Sequence, residues 1–222
     1  MPDTDLHALL ASLRVWAPDA TDLRPFDPAT APATPVPLFT DWFADAVAAG
    51  QPEPHTMTLA TTDAAGHPDA RIVMLHGADA DGWSFASHAT SRKGRQLDAH
   101  PHAALVFYWP VLGRQVRLRG TVVQAPSDQS QADLHARSTG ALAAALTGSQ
   151  SEPLASLGEL ERRSREAWTR ARANPATPSP TWTLYRLQPL EAEFFQGDPD
   201  RRHVRLRYVE EDGHWRRELL WP

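Results

Sequence analysis

Apolar residues recur at helical spacing at Phe39, Trp42, Phe43, Ala46 and Val47, and the pattern stops at Gly50 and Pro52, as helices tend to. Beyond it the chain breaks into short β-like runs at 57–61, 71–76, 83–87, 105–109 and 115–124. The links at 62–66 and 78–82 are turn-rich and too short for the crossover helices that a parallel sheet requires, so the predicted sheet or barrel is antiparallel. From 128 to 173 the pattern turns helical, with an Ala-rich stretch at 141–146 and a charged one at 157–173. Glu159 with Arg163, and Glu161 with Arg165, are spaced i,i+4 and read as a solvated helix face rather than a catalytic pair. Pro175, Pro178 and Pro180 break the chain, and strand patterns return at 182–187, 191–195, 204–209 and 214–219, the last two joined through Glu211-Asp212-Gly213. Ahead of the first helix, Pro18, Pro25, Pro28, Pro32, Pro35 and Pro37 withhold backbone donors and favour an extended path. The expectation is an N-terminal arm over 1–37 and one domain over 38–222, mainly antiparallel β with flanking helices (α+β), without internal repeats.

Composition narrows the function. A 222-residue chain with 41% hydrophobic residues and 8 Trp can build a substantial core. A net charge of -5 repels a polyphosphate backbone, which argues against nucleic acid. With no Cys, there are no disulfides, zinc-thiolate sites, iron-sulfur clusters or cysteine nucleophiles. Asp3 and Asp5 replace the basic start of a signal peptide, and no apolar run approaches the roughly 20 residues of a membrane span, so a cytoplasmic protein off the membrane is expected. The Gly-rich phosphate loop, the dinucleotide fingerprint, the nucleophile elbow and the helical zinc motif are all missing. The 10 His are scattered, and His100 with His102 lacks supporting ligands, so no metal site is expected.

The 22 basic residues comprise 21 Arg and a single Lys, Lys93, and that lysine sits in a basic cluster beside a predicted strand. Arg71 opens one strand, Gln115 opens another, and Ser91-Arg92-Lys93 begins a helix-like segment running to Ala99. A phosphate monoester wants this equipment: a bidentate guanidinium, a mobile ammonium, a hydroxyl and the backbone N–H groups of a helix start.

The stretch Arg71-Ile72-Val73-Met74-Leu75, followed by Ser91-Arg92-Lys93-Gly94 and Gly113-Arg114-Gln115-Val116, resembles the pyridoxine (pyridoxamine) 5'-phosphate oxidase family. Glu193-Phe194-Phe195-Gln196-Gly197, then Arg201, His203 and Arg205, then Trp215 and a terminal Leu-Trp-Pro, extend the similarity in order from about Met57 to Pro222. The resemblance implies a split-barrel homodimer with flavin mononucleotide (FMN) at its interface. On that basis Arg71, Arg92 and Lys93 hold the FMN phosphate with Ser87 in support, and Gln115 addresses the flavin ring. Ile72, Val73, Met74, Leu75, His76, Ala86, Gln150, Ser151 and Arg205 match further cofactor positions, and Phe195 stands where the family usually has Trp. The implied reaction passes hydride from a small-molecule substrate to flavin N5, with dioxygen restoring the flavin and yielding hydrogen peroxide. Arg201 and His203 match the catalytic positions that orient substrate; the family's N-terminal lid is not recognisable in the arm, where Arg14 and Trp16 are the candidates to substitute for it.

The same resemblance puts the substrate's phosphate against His76, Asp133, Arg137 and Ala141, where the family carries Lys, Tyr, Arg and Ser. A neutral imidazole in place of a cation, and a carboxylate beside a dianion, each cost about 1 kcal/mol or more when desolvated. The nominal activity is thus oxidation of pyridoxine or pyridoxamine 5'-phosphate to pyridoxal 5'-phosphate. The alternatives are a divergent oxidase of another reduced heterocycle, such as a phenazine precursor, and a flavin- or pyridoxal-phosphate-binding protein without turnover.

Overall fold

The computed structural model describes residues 5–15 and 23–222, so Trp16 and Pro18 lie outside the described residues. Helix α1 (Leu6–Ser12) is capped by Asp5, whose carboxylate accepts from the backbone N–H groups of His7 and Ala8. Helix α2 (Pro35–Ala48) begins before the predicted pattern at Phe39. Pro35 occupies the first helical position, where the missing N–H has no partner to lose and the fixed φ suits the helix. The proline-rich stretch is docked at its end: the Tyr208 hydroxyl donates to the Pro32 carbonyl at 2.8 Å, and Arg217 donates to that of Ala31.

The sheet contains β1 (Thr56–Thr62), β2 (Pro68–Met74), β3 (Gly77–Asp79), β4 (Gly82–His88), β5 (His102–Trp109), β6 (Arg114–Gln124), β7 (Trp182–Gln196), β8 (Val204–Glu211) and β9 (His214–Leu219). Helix α3 (Arg92–Ala99) lies between β4 and β5, and helices α4 (Ser127–His135), α5 (Thr139–Thr147) and α6 (Leu157–Ala173) fill the connection from β6 to β7. Strand order is β2-β1-β5-β6-β7-β4-β3, with β8 on β7 and β9 on β8, and every pairing is antiparallel. The result is a curled antiparallel sheet, a half-barrel with flanking helices, as the pattern and the resemblance led us to expect.

The sheet differs from the sequence reading at β2, at β7 and at β3, the last a short strand paired with β4 where 78–82 reads as a turn-rich link. β2 begins at Pro68, a tolerable first residue on an edge strand, and stops at Met74. Leu75 and His76 leave the ladder because their N–H groups bond to the carbonyls of His55 (2.8 Å) and Ser84 (2.7 Å). The runs at 182–187 and 191–195 are one strand, β7, which pairs with β4 through its first half and with β8 through its second. The change falls at a bulge where Arg119 faces Glu191 and Gly120 faces Pro189, leaving Leu190 extra. Only glycine fits there, since a Cβ on Gly120 would stand 1.9 Å from the Gln188 carbonyl oxygen.

The core lies between the concave sheet and α2. Phe39, 2% exposed, sits 5.0 Å from Phe107 and 5.5 Å from Trp83 between ring centroids, and Trp42 meets Phe194 edge-to-face at 5.3 Å. Each such ring contributes roughly 1.5–3 kcal/mol by burial and fixes α2 across the sheet. Leu134, Leu142, Ala143, Ala145 and Ala171 form a second, smaller cluster among α4, α5 and α6.

Candidate active site

Alternation along β2 turns Ile72 (65% exposed) and Met74 (54%) outward, while Val73 and Leu75 pack against the core. Arg71 is held from two sides. Its Nη1 donates to Thr61 Oγ1 at 2.6 Å and to the Leu59 carbonyl at 3.3 Å, and its Nη2 donates to Gln96 Oε1 at 3.1 Å and pairs with Asp69 Oδ2 at 2.6 Å.

Across a cavity of about 290 Å³ stands α3, capped by Ser91, whose hydroxyl accepts from the Gly94 N–H at 3.2 Å. Gly94 lets the helix start press onto the preceding turn, because a Cβ there would meet the Ala89 carbonyl oxygen at 2.3 Å. That approach buries Lys93, whose ammonium donates to Ser87 Oγ at 3.1 Å and to Gln150 Oε1 at 3.2 Å. Burial, and then the charge of Arg71, hold the Lys93 pKa below the ordinary lysine value. Gln150 is delivered by a turn in which Ser149 and Ser151 both have positive φ, 54° and 73°. Arg163 clamps this turn by donating to the Thr147 carbonyl at 3.0 Å and to Ser149 Oγ at 3.1 Å, so it does not form the surface pair with Glu159 that its spacing suggested. Glu161 and Arg165 do pair, at 3.7 Å.

The cavity is lined by Asp69, Ala70, Arg71, Arg92, Lys93 and Ser151. It thus gathers the predicted Arg71, Arg92, Lys93 and Ser151, with Ser87 and Gln150 behind the ammonium; Ala86 adjoins Ser87 on β4. Two buried or half-buried cations face one space with Asp69 as the carboxylate on its wall, and a phosphate monoester fits that donor set.

A second predicted group lies elsewhere on the sheet. Gln115 on β6 faces Phe195 on β7, which faces Arg205 on β8, in one transverse row. Arg205 pairs through Nε and Nη2 with Glu193 Oε1 at 2.8 and 2.7 Å, and donates through Nη1 to the Trp221 carbonyl at 2.8 Å. His203 packs tilted against Phe195, with centroids 5.1 Å apart, and its Nδ1 accepts from the Asp198 N–H at 3.1 Å, which puts the neutral ring's proton on Nε2. Arg201 is exposed and has a φ of 64° in the turn before β8. β6 is three strand spacings from β2, about 14 Å. Among the described residues no hydrogen bond or ion pair joins the two groups.

The third group closes on itself. His76 Nδ1 lies 2.9 Å from Asp133 Oδ1, Arg137 Nη2 donates to the same oxygen at 3.0 Å, and Trp182 Nε1 approaches Asp133 Oδ2 at 3.5 Å. Burial pushes the Asp133 pKa up, but hydrogen bonds from His76 and Arg137 outweigh it and hold the carboxyl below its usual range. Ala141 sits in the first turn of α5 with its N–H bonded to Ser138 Oγ and offers no polar side chain. Sequence reasoning missed Thr61, Asp69, Gln96 and Glu193, which hold the predicted arginines. The one available signal was the i,i+2 spacing of Asp69 and Arg71 on a strand face.

Among the described residues no helix is long and apolar enough to cross a membrane. No group of three or more His, Asp or Glu among them is placed to hold a metal ion.

The sheet and its flanking helices define the split-barrel fold of FMN-binding oxidoreductases. The solved structure of PhzG from Burkholderia lata 383, in complex with tetrahydrophenazine-1-carboxylic acid, superposes with a TM-score of 0.85 at 30% identity over 91% of this chain and 100% of that one. A pyridoxamine 5'-phosphate oxidase-related, FMN-binding protein from Nostoc punctiforme shares the fold at a TM-score of 0.67 and 21% identity, covering 83% of this chain and 97% of its own. In sequence, the pyridoxine/pyridoxamine 5'-phosphate oxidase of Bordetella petrii is 44% identical over 87% of this chain and 91% of its own length, and that of Pseudomonas paraeruginosa is 45% identical over 87% and 91%. Residues 43–171 match the pyridoxamine 5'-phosphate oxidase family, and residues 182–222 match the pyridoxine 5'-phosphate oxidase C-terminal dimerisation region. The chain belongs to the pyridoxamine 5'-phosphate oxidase family and is an oxidoreductase of that family.

Proposed function

We propose that this protein is an FMN-dependent oxidase acting as a homodimer on a small reduced heterocycle, nominally pyridoxine or pyridoxamine 5'-phosphate. The observation that carries the cofactor is the cavity shared by Arg71, Arg92, Lys93 and Ser151, where a buried ammonium and a guanidinium converge. Lys93 and Arg71 would grip the phosphate, with Ser87 and Gln150 fixing the ammonium. Gln115, Phe195 and Arg205 stand three strand spacings from β2, and the second subunit would supply them to each cofactor, a reading supported by a dimerisation region that spans Phe195 and Arg205. When bound, FMN supplies the two-electron acceptor, taking hydride from a substrate carbon and returning electrons to dioxygen to give hydrogen peroxide. The protein's part is positional: Arg201 and His203 orient the substrate beside the aromatic wall of Phe195.

A second reading concerns the substrate. If His76, Asp133 and Arg137 meet the substrate as the family resemblance implies, Asp133 has already neutralised Arg137, and a phosphate dianion finds no uncommitted cation there. That favours a reduced heterocycle without a phosphate, and the likeness to PhzG in complex with tetrahydrophenazine-1-carboxylic acid supports the same choice.

Stopped-flow spectroscopy of the yellow holoprotein separates the possibilities. Rapid bleaching by pyridoxine 5'-phosphate, with peroxide on aeration, is expected for the nominal oxidase. Bleaching only by unphosphorylated reduced heterocycles selects the second reading. A flavin that no such donor bleaches leaves a binding protein, and a purified sample without flavin overturns the proposal.

A further inference from the structure

Asp69 is an odd neighbour for a phosphate site. Its carboxylate lines the cavity that holds Arg71, Arg92 and Lys93, and it also lines the adjoining groove of about 560 Å³. Its Oδ2 takes the Arg71 guanidinium at 2.6 Å and accepts from Gln96 Nε2 at 3.2 Å. Gln96 in turn accepts from Thr61 Oγ1 at 2.7 Å, which fixes its amide with the oxygen toward Arg71 and the nitrogen toward Asp69. The hydrogen bond from Gln96, reinforced by Arg71, keeps the Asp69 carboxyl below its ordinary pKa and therefore ionised at neutral pH.

Arg71 has five N–H donors; Nη1 donates to Thr61 and Leu59, and Nη2 donates to Gln96 while Asp69 Oδ2 stands against it at 2.6 Å as an ion pair, so only Nε is clear of a partner. A bidentate grip on a phosphate needs two adjacent N–H groups, so an incoming phosphate must take Nη2 from Asp69.

Resting on the phosphate reading of this cavity, we propose that Asp69 is a resident counter-ion for Arg71, a positioning residue that the cofactor phosphate displaces and that weakens the protein's hold on FMN. It occupies Arg71 while the cofactor is absent and competes with the phosphate when it arrives. The consequence is a charge-specific brake on cofactor retention, acting on FMN and not on riboflavin.

The test is a fluorescence titration of the full-length protein, freed of cofactor, with FMN and with riboflavin, on the wild type and on Asp69→Asn and Asp69→Ala. Asparagine keeps an oxygen for Arg71 and Gln96 and removes only the charge. The expected result is FMN affinity about tenfold higher in Asp69→Asn, with riboflavin affinity unchanged. Asp69→Ala, which also frees Arg71, should bind FMN no more weakly than wild type. Thermal melting of each variant reports whether it is folded. FMN affinity in a folded Asp69→Asn that equals or falls below wild type overturns the proposal, because a carboxylate that merely orients Arg71 predicts that outcome. Wild-type protein that binds FMN and riboflavin equally well would instead overturn the phosphate reading itself.

Discussion

His76 and Asp133 form a half-buried hydrogen-bonded pair, Nδ1 to Oδ1 at 2.9 Å, and Arg137 closes on the same carboxylate oxygen at 3.0 Å. One residue follows β2 and the other two lie on α4 and just beyond it, so the pair ties the sheet edge to the helical layer. It also consumes the one cation that the resemblance leaves for a substrate phosphate.

Restoring cations there should restore phosphate binding. In His76→Lys combined with Asp133→Tyr, the KM for pyridoxine 5'-phosphate should fall about tenfold, equivalent to about 1.4 kcal/mol, with little change for an unphosphorylated substrate. Steady-state kinetics with both substrates checks this; an unchanged ratio would place the cluster away from the substrate's phosphate.

Lys93 is the ammonium on which the cofactor assignment turns. Lys93→Met keeps the buried stem and removes the charge, and FMN affinity should drop by about 2 kcal/mol, roughly thirtyfold, while riboflavin affinity holds. Isothermal titration with the two flavins measures the difference.

The lowered pKa of Lys93 gives a pH signature. Because burial and Arg71 depress it, the ammonium is lost at a pH below the ordinary lysine value of 10.5. FMN affinity should therefore be level near neutrality and weaken as pH rises through the lowered pKa, by up to about tenfold per pH unit. The sign for cofactor-free stability is opposite. Between the lowered folded value and the unfolded one, the unfolded chain holds more protons, so this group's contribution to stability rises with pH. Titrations from neutral to alkaline pH should show the alkaline loss of affinity in wild type and its absence in Lys93→Met.

Gly94 couples packing to the site. Gly94→Ala forces a Cβ against the Ala89 carbonyl, so α3 must shift and carry Lys93 with it. We expect a stability loss of about 1–3 kcal/mol, read from thermal or urea unfolding, together with FMN binding weakened about tenfold.

Acid sensitivity should trace partly to Asp133. Its depressed pKa means that its stabilisation is complete above the ordinary carboxylate value of 3.8 and is lost as pH falls through the lower folded value. Asp133→Asn should show a shallower loss of stability over that acid range in urea unfolding.

How far the sequence reached depends on the range of the interactions involved. Local chemistry was legible: short links between β-like runs required antiparallel pairing, and Ser91-Arg92-Lys93 announced a helix start with basic side chains. The break at Gln188-Pro189-Leu190 looked like a strand end because proline and an out-of-phase leucine disturb the period. Only Gly120 across the ladder shows that they form a bulge in one bent strand.

The sequence by itself determined the antiparallel class, the helix that covers the sheet, and the family, since these follow from hydrophobic period, turn chemistry and ordered motifs. Tertiary structure alone decided which partners the charged side chains take. Asp69, Gln96 and Thr61 meet around Arg71 from three elements, Glu193 clamps Arg205 across two strands, and Asp133 reaches His76 over 57 residues of chain. The physical reason is that a charge's ionisation and availability depend on what lies within a few ångströms, and folding sets those neighbours without regard to separation along the chain.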